Sequence, residues 1–279
     1  MRTLAFLAAA TMLAAPAIAD EKADFYKGKT ISLVLNYTVG GPTDTEARLL
    51  ARHLHKYIPG APTIVVRNMG GAGGAIGINW LGQVAPSDGY TVGYMTGIVG
   101  GAMQEQPAIK IDARKLSFVA GVEAISVAYA RNDLGSGLKD PHDLMKQSDF
   151  WLGGLTPENN KDIRLRMQLD LLGLKYRYIT GYPGAADARL ALERKEVELT
   201  AESLPTYRMS IEPSLVDAGR VIPLWLDVAE DWADKDHPDT EGIKAPIFEA
   251  YYRKASGAPP NNTMWRVHHM LKEFGTVFL

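Results

Sequence analysis

The chain has 279 residues, 46% of them hydrophobic and 22% charged, proportions that exclude a disordered or fibrous chain. Thirty Lys and Arg against 32 Asp and Glu leave a formal net charge of −2, so no basic excess exists to hold a nucleic-acid backbone. There is no cysteine, which excludes disulfides, thiolate zinc sites and cysteine nucleophiles.

Arg2, the apolar stretch Leu4 to Ala15 and the small residues Ala17-Ile18-Ala19 form a secretory leader pattern, with cleavage expected after Ala19. That stretch is shorter than the about 20 residues of a bilayer span. Ile31 to Leu35 reads as a strand, and Gly40-Gly41-Pro42 leads into a helical stripe of Ala47, Leu50, Ala51 and Leu54. Thr43 and Glu46 fit a capping box at that helix start, with Asp44 favoured by the helix dipole. Thr63 to Val66 is the next strand, followed by the glycine run 70–74, a helix from about Ile76 to Val84 and a strand over 90–95. Strand, glycine loop and helix thus occur twice, the pattern of a parallel sheet covered by helices.

The second half varies the theme. Phe118 to Ala130 reads as one long strand running between two lobes, and Phe150 to Leu152 as a strand ending at Gly153-Gly154. Asp162 to Leu172 is a helix stopped by Gly173. Strands at 175–179, 197–200 and 221–226 alternate with a helix over 185–195, and residues 262–274 read as an amphipathic helix. Two α/β lobes joined by crossing strands fit better than one continuous sheet.

Catalytic and cofactor patterns are sparse. Gly71-Ala72-Gly73-Gly74-Ala75-Ile76-Gly77 places Ile76 where a dinucleotide fingerprint needs its third glycine. His53 and His55 lie two apart on a helix, and His268 and His269 are adjacent. Neither spacing puts two imidazoles on one helical face to chelate a metal. Glu196 and Glu198 are close along one strand, a pattern that fits a solvated rim better than a hydrolytic pair. What remains is a set of glycine-rich loops at strand ends, each opening a helix. Backbone N–H groups at helix starts receive carboxylates or phosphates, and glycine lets the main chain approach them.

In order and at suitable spacing stand Phe25-Tyr26-Lys27-Gly28-Lys29-Thr30-Ile31, the loop 40–44, Asn68-Met69-Gly70-Gly71-Ala72-Gly73-Gly74 and Ala85-Pro86-Ser87-Asp88-Gly89-Tyr90-Thr91. With Tyr182-Pro183-Gly184 and Glu198-Leu199-Thr200, they make nearly the whole mature chain resemble the Bug, or TctC-like, periplasmic solute-binding proteins of tripartite tricarboxylate transporters. The resemblance implies a two-lobed α/β fold of the type II periplasmic-binding-protein kind, with helix-covered sheets joined by crossing strands. It implies a leader over 1–19, a first lobe over 20–122, a second over 123–223 and a return to the first over 224–279. It further implies a monomer without cofactor or metal that binds a small organic acid and meets a two-subunit membrane permease transiently in the periplasm. A secreted α/β enzyme acting on a small carboxylate-bearing compound is the alternative.

Carried over residue by residue, the resemblance puts the ligand grip of the first lobe at Val39, Gly40, Gly41, Thr43 and Asp44, with Asn68, Gly73 and Gly74 on the same side. Gly153, Gly154, Leu155 and Thr156 form the matching loop of the second lobe, with Tyr182 and Gly184 nearby and Glu202 and Ser203 after its last strand. Asp44 is expected to organise its loop rather than touch the ligand, and Gly41 to sit at a positive φ with its main chain against the ligand. Pro42 departs from the family's third glycine, and Pro157-Glu158-Asn159-Asn160-Lys161 from its small Gly/Ser-rich turn. The apolar end at Leu279 suggests a C-terminally incomplete version of the family's chain.

Overall fold

The computed structural model describes residues 25–103, 105–122, 125–228, 240–273 and 277–278; the expected leader lies outside them. Strand β1 (Thr30–Leu35) buries Ile31, Leu33, Val34 and Leu35, as the apolar run requires. It is the middle strand of a parallel sheet, between β2 (Thr63–Asn68) and β3 (Thr91–Tyr94). Parallel neighbours need crossovers, here α1 (Pro42–Leu54) and α2 (Ala75–Gln83). A short helix, α3 (Ile98–Met103), follows β3.

The segment read as one long strand is described as two, β4 (Gly121–Val122) and β5 (Ser126–Arg131). They serve different sheets, as a segment running between two lobes would, and residues 123–124 lie outside the described ones. β5 enters a five-stranded sheet with β6 (Phe150–Gly153), β7 (Tyr176–Ile179), β8 (Leu199–Ser203) and β9 (Val221–Asp227), in the order β7-β6-β8-β5-β9. β6 runs parallel to β7 and β8, whereas β5 runs antiparallel to β8 and β9. The start of β5 therefore meets the ends of its neighbours, and Ser126 pairs in register with Ser203 and Asp227.

The crossovers of this second sheet are α4 (Asn160–Leu171) and α5 (Ala185–Glu193). After β8 a helical turn, α6 (Leu204–Thr206), passes into a π-helix over Tyr207–Val216 that contains Pro213. Helices α7 (Phe248–Ser256) and α8 (Thr263–Glu273) pack on the second sheet, where Trp225, Phe248 and Tyr251 share a core with Leu144, Leu152 and Leu169. Only β10 (Val277–Phe278) carries the described chain back, pairing antiparallel with β4 and lying against β3.

Beneath α8 runs a buried chain of charges. Arg164 pairs with Asp227, and Lys272 with Glu249; Asp227 also lies 3.7 Å from Lys272 and 3.8 Å from His268. Gln168 joins this chain to the core: the Trp225 indole N–H donates to its Oε1 at 2.8 Å, and its Nε2 lies 3.0 Å from His268 Nε2. Burial pushes the His268 imidazole down to about 3, from about 6.5 in an unfolded chain. Between those values the unfolded state binds the extra proton, so stability must fall as pH drops from 6.5 toward 3. One such proton gives a slope of about 1.4 kcal/mol per pH unit. His268→Gln should flatten the dependence of the urea midpoint on pH between 6.5 and 4.5; parallel curves for variant and parent would remove His268 from that role.

Candidate functional site

A cavity of about 120 Å³ lies between the two sheets, and the N-terminal ends of three helices open onto it. Gly41, Pro42 and Thr43 come from the start of α1, Asn159, Asn160 and Lys161 from α4, and Gly184 and Ala185 from α5. The first N–H groups of a helix lack intrahelical acceptors, and the end carries about half a positive charge. Three such ends facing one space make it receptive to an anion.

Each helix start is organised by an aspartate three residues after its cap. Asp44 Oδ2 accepts the Gly40 N–H at 2.8 Å, Asp162 Oδ2 accepts the Leu155 N–H, and Asp187 Oδ2 accepts the Thr38 hydroxyl at 3.4 Å. The first two fold their own loops back onto the helix end; the third reaches across to the loop after β1. Pro42 at the first helical position starts α1 two residues earlier than the capping box requires. Gly41 is thus the cap, and Thr43 and Glu46 form no box. Both instead line the cavity.

The glycine run before α2 brings that helix against the end of β1. Gly74 has φ +98°, and a Cβ there would stand 2.5 Å from Asn36 Nδ2. Next to it Tyr37, buried, donates its hydroxyl to the Gly73 carbonyl at 2.9 Å and accepts from Asn159 Nδ2 at 2.9 Å. The two sheets also meet where Gln106 Nε2 donates to the Glu158 carbonyl at 3.0 Å and Arg189 to the Gly40 carbonyl at 3.3 Å.

Of the residues singled out from the sequence, Gly41, Thr43, Leu155, Gly184 and Ser203 line this cavity. Gly73 and Thr156 line a small neighbouring recess that shares Tyr37 and Asn159 with it. Val39 is exposed at 64%, and Gly40 supplies its N–H to Asp44. Asn68 bonds Asp44 and the Tyr37 carbonyl, each at 3.0 Å, so it supports the loop from behind. Gly153 and Gly154 are tied into the second sheet through Thr200 and the Ile179 carbonyl. Tyr182 packs on the core cluster of Tyr129 and Tyr207. Glu202 is fully buried behind the wall, held by Arg189 at 2.7 and 2.8 Å and by the Tyr129 hydroxyl at 3.2 Å. The expected positive φ belongs to Gly40, at +80°; Gly41 is at −84°, and a Cβ there finds its nearest neighbour at 3.8 Å.

Sequence reasoning did not place Glu46 or Ser126 at the cavity and kept Lys161 and Arg164, which follow the second loop, out of the main grip, yet all four line it. Lys161 Nζ lies 2.5 Å from Asp162, and Arg164 pairs with Asp227. Glu46 accepts from the Tyr94 hydroxyl at 3.1 Å and bonds Ser203; burial pushes its carboxyl above the usual range against those hydrogen bonds.

Asp44 is buried, and although burial favours its protonated form, hydrogen bonds from Arg48, Gly40 and Asn68 outweigh it and hold the carboxyl below its ordinary value. Hydrogen bonds to a charged group are worth about 1.5–3 kcal/mol each. Asp44→Asn keeps the shape but loses the charge, so it should cost about 1–2 kcal/mol in a urea titration. Ligand affinity should stay within about threefold of the parent, since one tenfold step equals about 1.4 kcal/mol. An affinity collapse at unchanged stability would make Asp44 a ligand contact.

No family model matches the chain. A curated relative, the protein BugT of Bordetella pertussis, is 42% identical over 74 residues, 26% of this chain and 22% of the relative. The chain spans about a quarter of the length of the first curated relatives it matches. Among solved structures, the periplasmic binding protein BugD superposes with a TM-score of 0.59 at 22% identity, over 91% of this chain and 89% of that one. A Rhodopseudomonas palustris protein with adipate, Rpa4515, gives 0.62 at 16% identity over 89% and 88% of the two chains. MatC from the same organism, with bound malate, gives 0.57 at 18% over 89% and 89%. The fold is that of the periplasmic binding proteins, α/β with two helix-covered sheets, and the sequence resembles the Bug proteins.

Proposed function

We propose that this chain is a periplasmic solute-binding protein that takes up a small organic acid between its two sheets and passes it to a two-subunit membrane permease. The observation that carries this reading is the convergence of three helix N-termini, with Lys161 and Arg164, on one cavity. The adipate and malate held by structures of the same fold support a carboxylate as the anion. In this reading residues 25–103 and 105–122 form one lobe of a monomer and 125–228 with 240–273 the other, in place of the expected return to the first lobe from residue 224, and a ligand that touches both stabilises them together.

The test is a thermal-shift and calorimetric screen of the purified protein against carboxylic acids, including adipate, malate and succinate, with the matching neutral amides. A saturable rise in melting temperature for a carboxylate, absent for its diamide, is the expected result. No response to any carboxylate would overturn the reading. Conversion of a bound acid to product would replace it with the enzyme alternative.

A further inference from the structure

Resting on that reading, we infer that Glu46 makes this site select a ligand that carries an ammonium group as well as a carboxylate, a zwitterion of the amino-acid type, over a dicarboxylate. The walls are not charged alike. Lys161 and Arg164 are each held by a carboxylate, Asp162 and Asp227. Glu46 lines the cavity from α1, and the partners found for its carboxylate are the hydroxyls of Tyr94 and Ser203. Among the described residues no Lys, Arg or His forms an ion pair with it.

The uncompensated formal charge at the wall is therefore negative and fixed at one place. Three helix ends remain to receive a ligand carboxylate. A second ligand carboxylate would face Glu46, and like charges brought together out of water repel strongly. An ammonium there would supply the missing partner, with N–H donors for the carboxylate oxygens that Tyr94 and Ser203 leave free. Burial raising the affinity of Glu46 for protons is the cost that such a cation would relieve.

The experiment is calorimetric titration of the parent and of Glu46→Gln with the proteinogenic amino acids, 4-aminobutyrate, succinate, glutarate and adipate. At least one zwitterion should bind the parent tenfold or more tightly than the dicarboxylate of matching length. In Glu46→Gln that preference should shrink at least tenfold, through weaker zwitterion binding or stronger dicarboxylate binding. Because the readout is a ratio within one protein, a general loss of stability cannot mimic it; Glu46→Asp, which keeps the charge, should retain the preference in part. A dicarboxylate that binds the parent best, with the ratio unchanged in Glu46→Gln, overturns this inference and leaves the carboxylate receptor standing. If neither class binds, the receptor reading falls and this one with it.

Discussion

Gly184→Val should cut affinity for a carboxylate ligand tenfold or more and remove its thermal stabilisation. The residue sits at φ −156°, extended backbone open to any side chain, so the penalty is steric rather than conformational. A Cβ at Gly184 would stand 2.1 Å from Thr38 Oγ1 and 3.3 Å from Asp187 Oδ2. Thr38 follows β1 and Gly184 caps α5, so the collision lies across the two sheets, at the cavity wall. Valine adds a branched three-carbon side chain to a place with no room for its first carbon. Small-angle scattering with and without ligand should show parent compaction that the variant lacks. Thr38→Ala removes the atom struck first, so the double variant should recover part of the binding. A single variant that binds like the parent would show that the two sheets need not approach here for capture.

Asp227→Ala should cost about 3–5 kcal/mol, the usual penalty for leaving a buried charge without its partner. Asp227 is only 3% exposed and stands against Arg164, with Lys272 and His268 just beyond. Burial alone would favour the protonated acid, but the Arg164 and Lys272 cations hold the carboxyl below its ordinary value. Its removal leaves Arg164 and Lys272 with a single neighbouring carboxylate, Glu249, which bonds Lys272. Asp227→Asn, which keeps volume and hydrogen bonding, should cost less. Urea midpoints of the three proteins at pH 7 decide it; a loss under 1 kcal/mol for alanine would mean that water enters and screens the cluster. Arg164 also lines the cavity, so ligand affinity should weaken in the same order.

Much of this architecture is legible in the residues. Apolar runs such as Ile31 to Leu35 become buried strands, and the glycine loops fall at their ends. Helix starts were less legible, because Pro42 shifts the onset of α1 and turns an apparent capping box into cavity wall. The π-helix over Tyr207–Val216, with Pro213 inside it, has no distinctive spacing, whereas helix α7 carries a helical stripe of Phe248, Tyr251, Tyr252 and Ala255 that sequence reasoning missed. At the site, glycine loops mark where backbone gathers, but the charged walls follow another rule. Thr43 and Glu46, like Lys161 and Arg164, are three apart at a helix start, and that spacing puts each pair on one face. The aspartates 44, 162 and 187, each in a first turn, were a further signal of three equivalent helix entries. Glu202 misleads for the opposite reason: it stands one residue before the end of a strand near the site, yet Arg189 draws it inward.

The amide of Gln168 has a direction, and it imposes that direction on its neighbours. An indole can only donate, so Trp225 fixes the Gln168 oxygen on its own side and the –NH₂ toward His268. His268 Nε2 must then accept, which leaves its proton on Nδ1. A second proton on Nε2 would set donor against donor. Turning the amide over to relieve that clash would orphan the indole N–H in the core. The imidazole is thus kept neutral by the one-way run of these hydrogen bonds as well as by its burial: reversing any one of them means reversing all.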